Sequence, residues 1–344
     1  MSQLPKNLTL TGIVTEHAEF LDKKINALNS REAMGLPSHI CMSELDNLGS
    51  DYQSLAPADS SFLVAITADK NRTFRERYVA GNLLALKGDP RISVYEPEMI
   101  TLPAADVEIG LPENMVKSVT ELFSQYGVEE DWIRKECPVH TVRLEHFALG
   151  KFCVTNWEYH CFLIDTGYDE LPDRWPFGIY PHQRANYPVF TVSFEAATAY
   201  TEWLSRKTGR CFHLPSEAQW EYAASGTDGR EYPWGNEFHA GCCNSVESGI
   251  IDATPVGIFP HGTGPFGHLD MAGNVEEYTA GGYKPYGGYS EIKDDLWITQ
   301  GSDYPVSRGG SFTRFRDLCR TRRRHGRYDS ELYAMGFRLA EKIA

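Results

Sequence analysis

Eight arginines fall between residues 308 and 327: Arg308, Arg314, Arg316, Arg320, Arg322, Arg323, Arg324 and Arg327, with Asp317 as the acid among them. In a chain of formal net charge −14 this is a local reversal of sign. A guanidinium binds carboxylate or phosphate through two parallel N–H groups. Phe312, Phe315, Tyr328 and Tyr333 interleave with the arginines. Aromatic and arginine side chains together give contact area and directed bonds at low entropic cost. The run reads as a recognition surface for a protein or a small acidic ligand, with Phe312, Arg314, Phe315, Arg316, Arg327, Tyr328 and Tyr333 as its contacts. Arg320 and Arg338 read as structural, pairing with acids and loop carbonyls. A second group with chemistry is Gly-Asn-Val-Glu-Glu-Tyr at 273–278. Asn274 and Glu277 lie three residues apart and can converge on one ion, with the Val275 carbonyl beside them. Calcium takes six to eight such oxygens. The eight cysteines form no CxxC pair or zinc ladder, and the histidines show no metal-ligand spacing.

The elements that must position these groups divide the chain at about residue 92. Residues 1–92 form a helical region. Phe20, Leu21, Ile25 and Leu28 recur at helical spacing over 16–28. Residues 72–87 predict a second helix, closed by Gly88 and stopped by Asp89-Pro90. From residue 93 to 344 the chain is rich in Gly, Pro and aromatics. Residues 99–103 predict a strand with 107–110 as its hairpin partner, and 139–144 and 147–154 predict two more. Residues 111–137 read as a loop with one helix. Thr155 or Asn156 caps a helix through Tyr159 and Phe162. Ser193 caps 194–206, whose Ala196, Ala197, Tyr200, Trp203 and Leu204 share a face. Ser216 and Gln219 form a capping box for the next helix. The expected class is α+β, loop-rich and stiffened by large side chains.

Composition excludes some functions. A net-acidic chain lacks the basic surface that general nucleic-acid binding requires, and it does not suit anionic membranes. The N-terminal residues lack the charged start and apolar stretch of a secretory signal. A cytoplasmic setting with free thiols is the expectation.

The order of motifs points further. Gly150-Lys151-Phe152-Cys153-Val154-Thr155-Asn156, the 187–205 segment YPVFTVSFEAATAYTEWLS, HLPSEAQWEYAASG at 213–226, YPWGN at 232–236, GHLDMAGNVEEYT at 267–279, RGGSF at 308–312 and GFRLA at 336–340 follow one another along the chain. Together they resemble the formylglycine-generating enzyme (sulfatase-modifying factor) family over about residues 95–344. The resemblance implies a C-type-lectin-like fold for this part of the chain, behind the small helical region read from periodicity. It implies calcium at Asn274, Val275 and Glu277, and a second calcium near Asn244 and Asp252. Enzymes of that family carry two cysteines shortly after Gly-Gly-Ser, and thiolates suit Cu(I). Here Arg314 holds the first position and Cys319 the second. A guanidinium is not a thiolate ligand, so the two-cysteine copper site is absent and Cys319 is the remaining catalytic candidate. The family's iron-dependent sulfoxide synthases use histidines of an extra helical domain, whereas residues 1–90 here offer His17 and His39 in no such arrangement.

These observations favour a non-catalytic ligand- or protein-binding module acting through the Arg/aromatic segment. The alternative is a divergent metal-dependent oxidase, using iron or copper at a rebuilt site. Formylglycine generation itself is disfavoured by Arg314. Binding predicts exposed Phe312, Phe315, Tyr328 and Tyr333. An enzyme predicts a pocket joining at least two of Cys319, His213, His182 and His325. The helical region is expected to dock the domain on a larger assembly.

Overall fold

The computed structural model describes residues 28–36 and 44–343. Residues 16–27 of the first expected helix lie outside them. The helices are α1 (Ser30–Ala33), α2 (Gly49–Leu55), α3 (Ser60–Ala68), α4 (Phe74–Lys87), α5 (Val116–Leu122), α6 (Glu130–Arg134), α7 (Asn156–Thr166), α8 (Phe194–Thr208), α9 (Glu217–Ser225) and α10 (Asp295–Gln300). The strands are β1 (Met99–Leu102), β2 (Ala105–Ile109), β3 (His140–Leu144), β4 (Phe147–Gly150), β5 (Phe212–His213), β6 (Glu276–Gly282), β7 (Pro305–Arg308), β8 (Met335–Gly336) and β9 (Ala340–Lys342).

Local chemistry sets the helix ends. Thr73, Thr155 and Ser216 each accept a bond from the backbone three residues on, while Glu76, Glu158 and Gln219 reach back to the cap. These reciprocal bonds satisfy donors that a helix start leaves free. Gly88 and Gly209 end α4 and α8 at positive φ, 86° and 71°. The face of α8 expected to be apolar is buried as spaced, from Ala196 through Leu204. It carries the largest core. The Trp203 ring lies 5.5 Å from Phe162 and 5.4 Å from Tyr200, and its Nε1 donates to Asp165 at 2.8 Å. Each such ring contributes roughly 1.5–3 kcal/mol by leaving water.

Three sheets organise the loops. One has the order β1-β4-β9-β5 and ties the start of the second region to its end, pairing Phe147 with Lys342. A two-stranded ladder joins β2 to β3. The third has the order β7-β6-β8, with β6 antiparallel to β7 and parallel to β8. The expected hairpin between 99–103 and 107–110 does not form. β1 pairs with β4 and β2 with β3, because Leu102 and Val107 are buried in one core with Leu144 of β3 and Phe147 of β4. Residues 111–137 hold two helices, α5 and α6, where one was expected.

Helices α2 to α4 share a small core of Leu55, Leu63, Ile66, Val79, Leu83 and Leu84. They are docked on the second region. Phe74 lies 5.3 Å from the Phe259 ring, and Arg77 Nε donates to the Ile258 carbonyl at 2.9 Å. Gly81 allows the close approach, since a Cβ there would meet Pro255 Cβ at 2.8 Å. Alanine normally stabilises a helix interior by about 1 kcal/mol over glycine. At Gly81 the rigid proline ring reverses that sign, and overpacking of this kind costs about 1–3 kcal/mol. The Gly81→Ala variant is expected to melt a few degrees below the wild type in a thermal scan. A rise in melting temperature would show that α4 is not held against Pro255.

Candidate functional site

Strand β6 places two carboxylates side by side, and alternation along a strand sends them to opposite faces. Glu276 takes Arg314 Nε at 3.1 Å, Ser307 Oγ at 2.9 Å and His325 Nδ1 at 3.0 Å. Glu277 takes Arg338 twice, at 2.6 and 2.7 Å, and Trp220 Nε1 at 2.8 Å. Next to them, Glu217 at the start of α9 binds Arg308 at 2.7 Å and Arg324 through both its oxygens at 2.7 Å. Arg308 also reaches Glu221 at 2.9 Å. Arg320 bridges Glu136 and Glu231. All these arginines are buried. The expected structural role of Arg320 and Arg338 therefore extends to most of the arginine run.

The Gly309-Gly310 turn explains how the run enters the interior. Both residues have positive φ, 91° and 65°. A Cβ on Gly309 would meet the Trp220 ring at 3.1 Å, and one on Gly310 would meet the Leu318 backbone at 3.0 Å. Glycine is the residue that tolerates both demands.

Several expected ligand contacts are corrected by this packing. Phe312, Phe315 and Tyr333 are buried, each less than a tenth exposed. Phe312 packs edge-on against Phe190, and Phe315 stacks on Tyr126 at 4.7 Å. Arg314, at the position where a cysteine was expected in catalytic relatives, lies 4.0 Å over the Tyr333 ring and pairs with Glu276. These residues form core, because apolar rings between glycine-rich turns gain more by covering one another than by facing water. Tyr328 and Arg327 are half-buried, with Asp295 and Tyr278 as partners. Arg316 alone of the seven opens to a large concavity.

The expected calcium donors have other partners. Both Glu277 oxygens are used by Arg338 and Trp220. Asn274 Oδ1 accepts from the Thr254 backbone at 2.9 Å and from Asn244 Nδ2 at 3.2 Å, and Asn244 Nδ2 also donates to the Asp252 carbonyl at 2.8 Å. Asp252 binds Arg184 at 2.6 and 3.1 Å. N–H groups thus engage the side-chain oxygens of Asn274, Glu277 and Asp252, which as placed are not open to a calcium ion. Among the described residues, no group of three or more His, Cys, Asp or Glu is placed to hold a metal.

The candidate catalytic groups are also dispersed. Cys319 is buried in a cluster with Cys243, Tyr232 and Ala272. The Cys243 thiol as hydrogen-bond partner, and then burial, push the Cys319 thiol well above its usual range, away from the thiolate a nucleophile needs. His325 lines a small enclosed space of about 40 Å³ with Arg314, Lys135 and Asp294. His182 lines another cleft, and His213 Nδ1 faces the Leu214 carbonyl at 2.8 Å.

What the structure brings together instead is a cleft of about 610 Å³ that sequence reasoning missed. Met115, Val119, Leu122 and Phe123 line it on and around α5. Tyr232 and Phe238 line it from the loop after Gly229, with Glu231, Arg316 and Arg322 beside them. Arg322 spends its donors on Gly110, Gly229 and Glu231. Arg316 uses Nε on Glu247 at 3.0 Å and lies 4.6 Å over the Phe238 ring. Its Nη groups make no hydrogen bond among the described residues, and its side chain is about a third exposed. The signal that could have found the cleft was the apolar spacing of Met115, Val119 and Leu122, in a stretch read as mostly loop.

The Glu276 pairing has a pH signature. Burial works to raise this carboxyl, and the His325 ring and Arg314 guanidinium hold it down to about 2, from an ordinary 4.5. A carboxylate with a depressed folded pKa contributes stability that is present above its unfolded value and lost as pH falls toward the folded one. The melting-temperature gap between wild type and Glu276→Gln is expected to be constant near neutrality and to narrow from about pH 4.5 to about pH 2. A gap that widens in acid would show that Glu276 is not held ionised by these partners.

The profile of the sulfatase-modifying factor enzyme 1-like domain matches residues 87–343. Hercynine oxygenase of Mycobacterium tuberculosis is 30% identical over 210 residues, covering 52% of this chain and 48% of that protein. The chain thus spans about half the length of the hercynine oxygenases it matches. Formylglycine-generating enzyme of Thermomonospora curvata is 29% identical over 310 residues, covering 70% of this chain and 99% of the enzyme. The solved structure of PvdO from Pseudomonas aeruginosa superposes with a TM-score of 0.55 at 26% identity, over 72% of this chain and 95% of PvdO. With the motifs in order, the mixed α+β loop-rich architecture in place and the profile covering most of its length, the chain belongs to the formylglycine-generating enzyme (sulfatase-modifying factor) family and has its C-type-lectin-like fold.

Proposed function

We propose that this chain is a binding domain of the family, and that its ligand enters the cleft beside α5 rather than the arginine turn as a whole. The observation that carries the reading is the cleft itself. It is of the size that small-molecule and side-chain sites usually have, apolar with a few polar groups. Arg316 offers it a guanidinium whose Nη groups make no hydrogen bond among the described residues, on an aromatic wall. A carboxylate attached to an apolar or aromatic body matches that surface, as a side chain of a partner protein or as a small acid. Cys319 and Arg314 support the reading from the other side, since one is a buried thiol and the other a paired core cation.

An aromatic sulfonate is a practical probe of such a cleft. Anilinonaphthalene sulfonate is expected to bind the folded chain with a fluorescence increase. Arg316→Gln is expected to weaken it about tenfold, which corresponds to about 1.4 kcal/mol. Val119→Glu, at another residue lining the cleft, is expected to weaken it at least as much. Unchanged affinity in both folded variants would overturn the assignment of the cleft.

A second reading is kept because relatives of this chain are named hercynine oxygenase and formylglycine-generating enzyme. It makes the domain a divergent iron- or copper-dependent oxidase. Metal analysis of protein purified without added metal separates the two. Stoichiometric iron or copper, together with oxygen consumption, would replace the binding reading.

A further inference from the structure

A second cleft, of about 420 Å³, is lined by the end of α4 and the start of α7. Its volume is within the range of small-molecule sites. Ala85, Leu86 and Ile92 give it an apolar lining, and Trp157 and Tyr180 give it two aromatic rings. Trp157 is 42% exposed and Leu86 59%. Large apolar side chains left open beside a concavity mark a binding site. The rings are held in place by the protein itself. Tyr180 stacks on His160 at 4.0 Å and lies edge-on to Trp175 at 5.5 Å. Trp157 N donates to the Ala185 carbonyl at 2.9 Å, and Asn156 Nδ2 to the Arg184 carbonyl at 2.9 Å. These bonds tie the start of α7 to the turn that precedes Asn186.

Asn186 also lines the cleft and is 1% exposed. Its Nδ2 donates to the Gly81 carbonyl at 2.9 Å and to Asp89 Oδ2 at 2.7 Å. Two acceptors at one end of the amide identify that end as the nitrogen. Oδ1, at the other end, has no hydrogen-bond partner among the described residues. A buried acceptor without a donor is an exception in folded proteins. Asp89, another residue of the lining, is already satisfied. Arg91 donates to its Oδ1 from the backbone at 3.1 Å and from Nε at 2.9 Å, and to its Oδ2 at 2.6 Å. That guanidinium meets its charge, so Asp89 gives the cleft no reason to select a cation. His182 lines the cleft too, but it is exposed and water serves it. The polar group that suits this lining is therefore one neutral donor.

We propose that this cleft is a binding site for a flat, uncharged aromatic molecule carrying one N–H or O–H donor, of the indole or phenol class. Trp157 and Tyr180 supply ring contact, Ala85, Leu86 and Ile92 supply apolar surface, and Asn186 Oδ1 takes the donor. The ring gains by leaving water and by meeting two aromatic side chains. The donor gives specificity, because a site built to accept a hydrogen bond rejects an analogue that cannot make it. The site is separate from the cleft beside α5 and does not rest on the reading of that cleft.

The test is calorimetric titration of the full chain with indole, 1-methylindole and 3-methylindole. The first methyl removes the donor, and the second adds the same bulk while keeping it. Changing the ligand leaves Asn186 intact, which matters because that side chain also holds Gly81 and Asp89. Indole and 3-methylindole are expected to bind about tenfold more tightly than 1-methylindole. Trp157→Ala, at an exposed position, is expected to weaken indole about tenfold. Arg316→Gln is expected to leave indole affinity unchanged, which separates this site from the cleft beside α5. Equal affinity for indole and 1-methylindole would show that water rather than the ligand meets Asn186 Oδ1, and would overturn the proposal. So would undiminished indole affinity in Trp157→Ala, loss of it in folded Arg316→Gln, or no binding of indole at millimolar concentration.

Discussion

The Glu276–Glu277 pair on β6 is the constraint on which the rest of the second region depends. Two adjacent carboxylates in an interior are tolerable only if each meets its own cations and donors. The strand turns them to opposite faces, and the chain supplies Arg314 and His325 to one and Arg338 and Trp220 to the other. Those partners come from the arginine run, from the last segment before β9 and from α9. Removing one member of a buried pair costs about 3–5 kcal/mol, because it strands a charge. A fold with short strands and long loops has little ladder to hold it. Here Glu217, with Arg308 and Arg324, and Arg320, with Glu136 and Glu231, repeat the arrangement and fix the loops as side-chain bridges rather than as sheet.

Features decided within a few residues were legible in the sequence. The caps at Thr73, Thr155, Ser193 and Ser216 are local hydrogen-bond patterns, and the buried face of α8 is a spacing. The family motifs were legible for a related reason. The Gly309-Gly310 pair, for example, records a positive φ and a close approach that few other residues survive. The partner of β2 was not legible, since pairing with β3 rather than β1 is decided by which strands can bury Val107 with Leu144.

The arginine run was read correctly as dense in charge and wrongly as outward-facing. Its acids lie far off in sequence: Glu217 is 107 residues from Arg324, and Glu276 is 38 from Arg314. No local pattern reports such partners. The same limit applies to Asn274 and Glu277. Their spacing allows convergence on one ion, but Arg338 and Thr254 reach them first. Phe312, Phe315 and Tyr333 were misjudged because an aromatic in a Gly-rich loop has no periodicity to say which way it faces.

Arg314 connects these outcomes. A cation at that position must be neutralised, and Glu276 does so while Tyr333 covers its face. That pairing draws the Ser311–Phe315 turn inward, so that Phe315 stacks on Tyr126 and the next arginine, Arg316, is the first to emerge. Arg316 then borrows Glu247 for its Nε and the Phe238 ring for its face, leaving its remaining donors toward the cleft. Cys319, three residues further on, is carried inside to meet Cys243. Arg314 in this position is thus consistent with three features at once: a filled interior position, an outward-facing Arg316 guanidinium and a Cys319 thiol buried in one cluster with Cys243.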